Sequence, residues 1–191
     1  MKEYDMKQYI TREELHDSGY SQYKISRLVD EEKLIPINKN YFENPDYKGE
    51  INDHYCVNAY APKGVICLIS AAVYHGLTTS RELHIDVALP RRSRIPSISE
   101  QPVIQYYLFS DERYNTGITT VIEGENSFKI YDIEKTVCDL LFYRNKLGFE
   151  PFAEVLKNYL SSKDRDLNKL MNYAEKLRCG KLMKQYLEIT I

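Results

Sequence analysis

The sequence of 191 residues has no tryptophan, four cysteines and only eight glycines. No two cysteines have the two-residue spacing of a zinc knuckle or a redox motif, so we expect reduced thiols in a cytoplasmic protein without a metal site. The glycines stand singly, which excludes a phosphate-binding loop and a dinucleotide-binding fingerprint. No cofactor is therefore expected.

Long apolar runs are also missing. No run reaches the roughly 18 residues that a membrane span requires, and mean hydropathy is -0.50. Residues 1–6 lack the apolar core of a signal peptide. We therefore expect a protein that is neither secreted nor inserted in a membrane.

Charge of neither sign is in excess. The chain has 26 basic and 28 acidic residues, a net charge of -2, so no global field attracts nucleic acid. Residues 1–50 hold 8 basic and 11 acidic residues, whereas residues 163–191 hold 7 basic and 4 acidic residues. Any binding of nucleic acid must come from a local patch.

The first part of the chain has the pattern of two short helices and a hairpin. Thr11 and Glu14 form a capping-box sequence, and Gly19 ends the helix that they begin. Ser21 is a favourable N-cap for a second helix, whose apolar stripe is Ile25, Leu28 and Val29. Residues 34–37 and 41–43 flank a polar turn, which predicts a β-hairpin.

Helix, turn, helix and hairpin in this order predict a winged helix-turn-helix domain over residues 1–48. The alternative is a small α+β cap that binds no ligand. In a winged helix, the second helix enters the major groove by its N-terminal residues, and the hairpin contacts the DNA backbone. The candidate DNA-binding residues are Ser21, Gln22, Tyr23 and Lys24 at the helix start, Arg27 facing the backbone, and Lys39 and Asn40 at the wing tip.

A turn-rich linker at residues 44–50 precedes a second domain, residues 49–191. Its pattern predicts helices over 51–59 and 65–75, a half-buried strand over 83–89, and strands over 103–109, 118–122 and 128–131. Asp132 caps a further helix, and two or three more fill 151–189. Strands followed by helices indicate an α+β fold, a mixed α/β domain that ends in a helical segment.

Enzyme motifs are absent from the sequence. There is no Gly-x-Ser-x-Gly elbow, and the pair Asp164 and Asp166, although spaced like nucleotidyltransferase ligands, lacks an upstream Gly-Ser step. This pair is expected at a helix N-terminus instead. We predict no catalytic residues and no enzyme.

Basic residues concentrate at two places in the second domain. Three arginines follow the strand that ends at Pro90, and guanidinium groups in a loop suit phosphates; a merely solvated loop is the alternative. The candidate phosphate or partner surface consists of Arg91, Arg92 and Arg94 with Lys176, Arg178, Lys181 and Lys184 near the C-terminus.

Several ordered segments resemble the AbiEi family, the antitoxins of type IV toxin–antitoxin systems of bacterial abortive infection and phage resistance. The N-terminal segments are 10–15, 19–21, 28–34 and 40–42. The later segments are 62–64, 70–78 with its His-Gly-Leu step, 85–91 with its Pro-Arg turn, 131–139 with its Tyr-Asp-x-Glu-Lys-Thr helix start, 162–164 and 185–187.

The resemblance implies a transcriptional regulator with two roles. The winged helix would bind promoter DNA and repress its own operon, and the C-terminal domain would counteract a nucleotidyltransferase toxin without a stable complex. The alternative is an orphan winged-helix regulator, or a protein-interaction module, without a nucleotidyltransferase partner.

Overall fold

The computed structural model describes residues 7–81, 83–96 and 102–190. The fold is α+β, with two sheets and helices that follow the second sheet along the chain. No helix among these residues is long and apolar enough to cross a membrane.

The chain forms two compact units. The first comprises the residues up to Gly64 together with Thr120–Phe128, and the second comprises Val65–Thr119 and the residues from Lys129 onward. The first unit therefore extends beyond the predicted linker at residues 44–50, and it includes a segment from later in the chain. The division of function between residues 1–48 and 49–191 stays a prediction.

The first unit has a small antiparallel sheet in the order β1-β3-β2. Its strands are β1 Tyr9–Thr11, β2 Ile35–Pro36 and β3 Tyr41–Glu43, and its helices are α1 Arg12–Asp17, α2 Gln22–Asp30 and α3 Cys56–Tyr60, the last after a 3₁₀ turn at Asp53–Tyr55. The register pairs Ile10 with Phe42 in β3, and Pro36 of β2 also faces Phe42. The sequence did not predict β1, because a three-residue strand has no periodicity of its own.

Local sequence signals account for helices α1 and α2 of the first unit. The capping box is present: the Thr11 side chain accepts from the Glu14 N–H, and the Glu14 carboxylate accepts from the Thr11 N–H. Gly19 follows α1 with φ of 83°, a left-handed conformation that glycine adopts without strain. The apolar stripe of α2 is buried as predicted. The core consists of Ile10, Leu15, Ile25, Leu28, Leu34 and Phe42.

The second unit contains most of a mixed sheet in the order β6-β5-β4-β8-β7. The strands are β4 Val65–Ile66, β5 Ile85–Pro90, β6 Ile104–Phe109, β7 Ile118–Glu123 and β8 Asn126–Tyr131. Strand β5 runs parallel to β6 and antiparallel to β4, and β4 runs parallel to β8.

Two predictions for this sheet were wrong in detail. The apolar run 65–75 is not one helix, because Val65 and Ile66 form β4 and the helix begins only at Leu68. Strand β5 is not half-buried: its first five residues are all buried, including Asp86, since β5 lies between two neighbouring strands. A continuous apolar run fits a buried strand as well as a buried helix.

Helices follow the sheet and complete the core of the second unit. They are α4 Leu68–Tyr74, α5 Asp111–Asn115, α6 Ile133–Leu147, α7 Phe149–Ser161, α8 Leu167–Lys176 and α9 Gly180–Thr190. Asp132 caps α6 as predicted, accepting from the Lys135 N–H at 2.9 Å. Asp166 likewise caps α8, which confirms that this aspartate marks a helix start.

A charged cluster is buried within the second unit. Asp139 forms ion pairs with Arg113, at 2.5 Å, and with Lys135 one helical turn earlier. Lys135 also lies 3.8 Å from the centroid of the Tyr131 ring. Burial lowers the pKa of Lys135, since the interior disfavours its charged form. The positive charges of Arg113 and Lys135 are thus both neutralised by the carboxylate of Asp139.

Candidate nucleic-acid interface

Helix α2 presents one buried face and one exposed face. Ile25 and Leu28 pack into the core, while the Ser21 hydroxyl accepts from the Lys24 N–H at 3.4 Å and fixes the start of the helix. Tyr23 is 77% exposed, and Lys24 is exposed beside it. Both side chains are therefore open to solvent at the start of α2, where the sequence predicts a contact with DNA.

Arg12 joins three elements of the first unit. Its Nε donates to the Lys39 carbonyl at 2.8 Å in the hairpin turn, and its Nη1 donates to Gln22 Oε1 at 2.7 Å at the start of α2. The guanidinium also lies 4.9 Å from the centroid of the Phe42 ring in β3. One side chain therefore sets the position of the hairpin tip relative to the exposed end of α2.

Arg12 is not among the residues that the sequence predicts to contact DNA. A signal was present, however, because a cation in the first turn of a helix is disfavoured by the helix dipole. An arginine directly after the N-cap Thr11 therefore needs a partner outside its own helix. The structure places two such partners within hydrogen-bonding distance.

The hairpin turn is held by Asn38. Its Oδ1 accepts from the backbone N–H groups of Asn40, at 2.9 Å, and Tyr41, at 3.1 Å. Its Nδ2 donates to the Ala59 carbonyl at 2.8 Å, which attaches the turn to α3. Lys39 and Asn40 remain exposed at the tip, so the turn presents them on a fixed backbone.

Arg27, which the sequence predicts to face the DNA backbone, is held by an ion pair within α2 and its end. Its Nε forms an ion pair of 2.7 Å with Glu31 Oε1, one turn later on α2, and Lys33 pairs with the other oxygen at 2.5 Å. Hydrogen bonds from Lys33 and Arg27 lower the pKa of Glu31. Because the Arg27 side chain stays 69% exposed, its remaining N–H donors can still contact a phosphate.

The acidic residues of α2 lie at the end of the helix opposite to Lys24. The first unit has 8 basic and 12 acidic residues over positions 7–64 and 120–128, yet the acids of α2 and its end, residues 30–32, lie at the C-terminus. A helix of this length rises about 13 Å at ~1.5 Å per residue. The end that carries Lys24 is thus separated from these carboxylates by more than a Debye length at 0.15 M salt, about 8 Å.

The basic residues of the second unit lie on separate elements. Arg91, Arg92 and Arg94 are exposed in the turn after β5, which closes with a 2.8 Å bond from the Ser93 N–H to the Pro90 carbonyl. Lys176 ends α8, Arg178 follows with φ of 60°, and Lys181 and Lys184 lie on α9. Lys184 is 4.0 Å from Glu188, a weak exposed pair.

The cysteines are interior side chains rather than surface thiols. All four are free and buried, as the sequence predicted, and burial raises the pKa of Cys56 to about 12. Within residues 7–81, 83–96 and 102–190, no three His, Cys, Asp or Glu side chains are arranged to hold a metal ion.

No protein-family model and no curated protein matches this sequence. Among solved structures, the chain is similar to the crystal structure of the RV2827C protein from Mycobacterium tuberculosis, with a TM-score of 0.53 and 14% sequence identity. The match covers 87% of this chain and 66% of the other, so this chain spans slightly less than two thirds of that protein's length. At this identity the similarity concerns the fold alone.

Proposed function

We propose that residues 1–48 are a winged helix-turn-helix that binds promoter DNA, and that the chain is the antitoxin of a type IV toxin–antitoxin system. Helix α2 enters the major groove by Ser21, Gln22, Tyr23 and Lys24. The hairpin β2–β3 is the wing, and Lys39 and Asn40 contact the DNA backbone beside it.

The observation that carries the DNA-binding role is the double hydrogen bond of Arg12. It orients the Gln22 side chain and the Lys39 backbone together, and these residues belong to the helix and the turn that a winged helix applies to DNA. With its Oε1 accepting from Arg12, Gln22 keeps its Nε2 donors for a base acceptor. A preorganised side chain loses less entropy on binding than a free one.

The antitoxin role is supported by the resemblance of the sequence to the AbiEi family. A chain with two compact units is compatible with two separate roles, although residues 49–64 and 120–128 belong to the first unit. The exposed arginines of residues 91–94 and the basic residues around α8 and α9 are the candidate surfaces for counteracting a nucleotidyltransferase toxin. No stable complex with the toxin is required by this proposal.

The DNA-binding role is tested with the full chain and a labelled duplex from its own promoter. Fluorescence anisotropy at several salt concentrations should show Lys24→Ala weakening binding to all sequences and reducing the salt slope by about one. Gln22→Ala should instead relax specificity at one base position, on the scale of about 1–3 kcal/mol. Lys33→Ala, beyond the opposite end of α2, is the matched control and should change neither.

The result that would refute this role is wild-type binding that is absent or insensitive to salt. Equal effects of Lys24→Ala and Lys33→Ala would also refute it, because the N-terminal end of α2 would then not be the contact surface.

The antitoxin role is tested by co-expression with the nucleotidyltransferase encoded beside this gene. Growth should be arrested by the toxin alone and restored by the full chain. If a folded chain leaves growth arrested, or if no nucleotidyltransferase is encoded next to it, the antitoxin role fails. DNA binding retained in that case would favour the orphan regulator.

A further inference from the structure

The first unit has a polar cavity, open to solvent on one side, that the DNA-binding role does not use. Its volume is about 200 Å³. Strand β1 and the start of α1 supply Tyr9 and Glu14 to its wall, β3 supplies Tyr41, and the 3₁₀ turn supplies Tyr55. The turn between β7 and β8 contributes Glu125.

Hydrogen bonds hold the cavity walls in place. The Tyr55 hydroxyl donates to Glu123, and Asn58 Nδ2 donates to the Ser127 carbonyl at 2.7 Å. The buried Asn126 side chain accepts from the Gln8 N–H at 3.1 Å. Because these wall groups are already fixed, a ligand entering the cavity meets a preorganised surface.

The cavity already holds one ammonium group. Lys7, which lines it, forms an ion pair with Glu14, and Glu14 also accepts from the Thr11 backbone and hydroxyl at 2.8 and 2.9 Å. Both carboxylate oxygens of Glu14 therefore have partners within the chain. Glu125 is the second carboxylate of the lining, and within the described part of the chain it has no ion pair.

The three tyrosines of the lining are held in their neutral form. Burial raises the pKa of Tyr9, Tyr41 and Tyr55, and neighbouring carboxylates raise each further: Glu43 and Asp53 act on Tyr9, Glu14 on Tyr41, and Glu123 on Tyr55. Tyrosine rings and carboxylates together are the groups that recognise ammonium ligands.

We propose that this cavity is a binding site for a small organic ammonium ion, which pairs with Glu125 and contacts the tyrosines Tyr9, Tyr41 and Tyr55. Lys7 and Glu14 show the same pairing with a group of the chain itself. A water molecule takes up about 30 Å³ in the liquid, so the cavity has room for an alkyl amine of a few carbon atoms. Because the lining is mostly polar, the cavity does not suit an apolar ligand of this size.

The test uses the full chain and n-butylammonium chloride, titrated by calorimetry and by chemical shifts of the backbone amides. 1-Butanol and sodium butyrate, at the same ionic strength, are the neutral and anionic controls of equal chain length. We expect saturable binding of butylammonium with shifts at residues 7–14, 41 and 125–127, at least tenfold weaker binding of butanol, and no binding of butyrate.

Two variants locate the charge that is recognised. Glu125→Gln should weaken butylammonium binding by up to about fivefold, as expected for loss of a solvent-exposed ion pair. Glu13→Gln, an exposed glutamate of α1 that does not line the cavity, should leave the affinity unchanged. Circular dichroism confirms that both variants fold, which is expected because both side chains are exposed.

Absence of saturable binding would overturn the proposal, as would equal affinities for butylammonium and butanol. An unchanged affinity of Glu125→Gln would overturn the assignment to Glu125. None of these measurements involves DNA, so they succeed or fail independently of the proposed function.

Discussion

Replacing Asp139 by asparagine is the substitution that the structure predicts to be most damaging. Asp139 is fully buried, and its two oxygens are shared between Arg113 and Lys135, which are themselves 7% and 0% exposed at the side chain. Asparagine keeps the shape of the side chain but removes its charge. Two cations would then remain in the interior with no carboxylate to compensate them.

The magnitude follows from the burial of all three groups. Removing one partner of a buried ion pair costs about 3–5 kcal/mol, since the other charge stays desolvated and unpaired. This is a large part of the 5–15 kcal/mol that is typical of a folded domain. For a chain of this size, about 2–4 °C per kcal/mol gives a melting temperature lowered by roughly 10 °C.

Lys135→Met is the matched control for this prediction. It removes one of the two cations and leaves Arg113 paired with Asp139, so that no charge of the cluster is left without a partner. Its loss of unfolding free energy should therefore be smaller than that of Asp139→Asn, which leaves two buried cations uncompensated.

The assay is urea denaturation followed by near-ultraviolet circular dichroism, repeated between pH 7 and pH 9.5. In Asp139→Asn the folded-state pKa of Lys135 lies further below its unfolded value, so the folded state binds fewer protons and stability should recover as pH rises. A loss below 1 kcal/mol in Asp139→Asn, or a larger loss in Lys135→Met, would refute this account of the cluster.

The capping box, Arg12 and the arginine turn give further tests. Thr11→Ala should cost about 1 kcal/mol of unfolding free energy in urea and Thr11→Ser much less; equal stabilities would contradict the cap. Although burial opposes it, hydrogen bonds from Lys7 and Thr11 lower the pKa of Glu14 from its usual 4.5. The stability advantage over Glu14→Gln should therefore be full above the unfolded-state pKa and be lost as the pH falls through the lower folded-state pKa; a constant difference would exclude this linkage. Arg12→Lys keeps the charge but cannot bond both the Lys39 carbonyl and Gln22, so promoter affinity should fall about tenfold. Unchanged anisotropy curves would contradict a role of these two hydrogen bonds in DNA binding. Replacing Arg91, Arg92 and Arg94 together by alanine should reduce the growth restored on co-expression with the toxin. Fully restored growth would show that this turn does not act on the toxin.

The sequence by itself determined those elements whose signals are local. Thr11 with Glu14, Ser21 and Asp132 each begin a helix where the sequence predicts one, because a cap hydrogen bond joins residues only three positions apart. The polar turn between residues 37 and 41 likewise marks the hairpin. The α+β class follows from the same local patterns placed in order along the chain.

Tertiary structure decided the features that depend on partners distant in sequence. Val65 and Ile66 form a strand because β5 and β8 lie on either side of them, and Asp86 is buried because β5 is a central strand. Arg12 has its role through Gln22 and Lys39, 10 and 27 positions away. The cavity needs Glu125 from a turn over 100 residues after Glu14. Hydrophobic periodicity records which face of an element is buried, but not which other element covers it, so these sites are fixed only when the chain is packed.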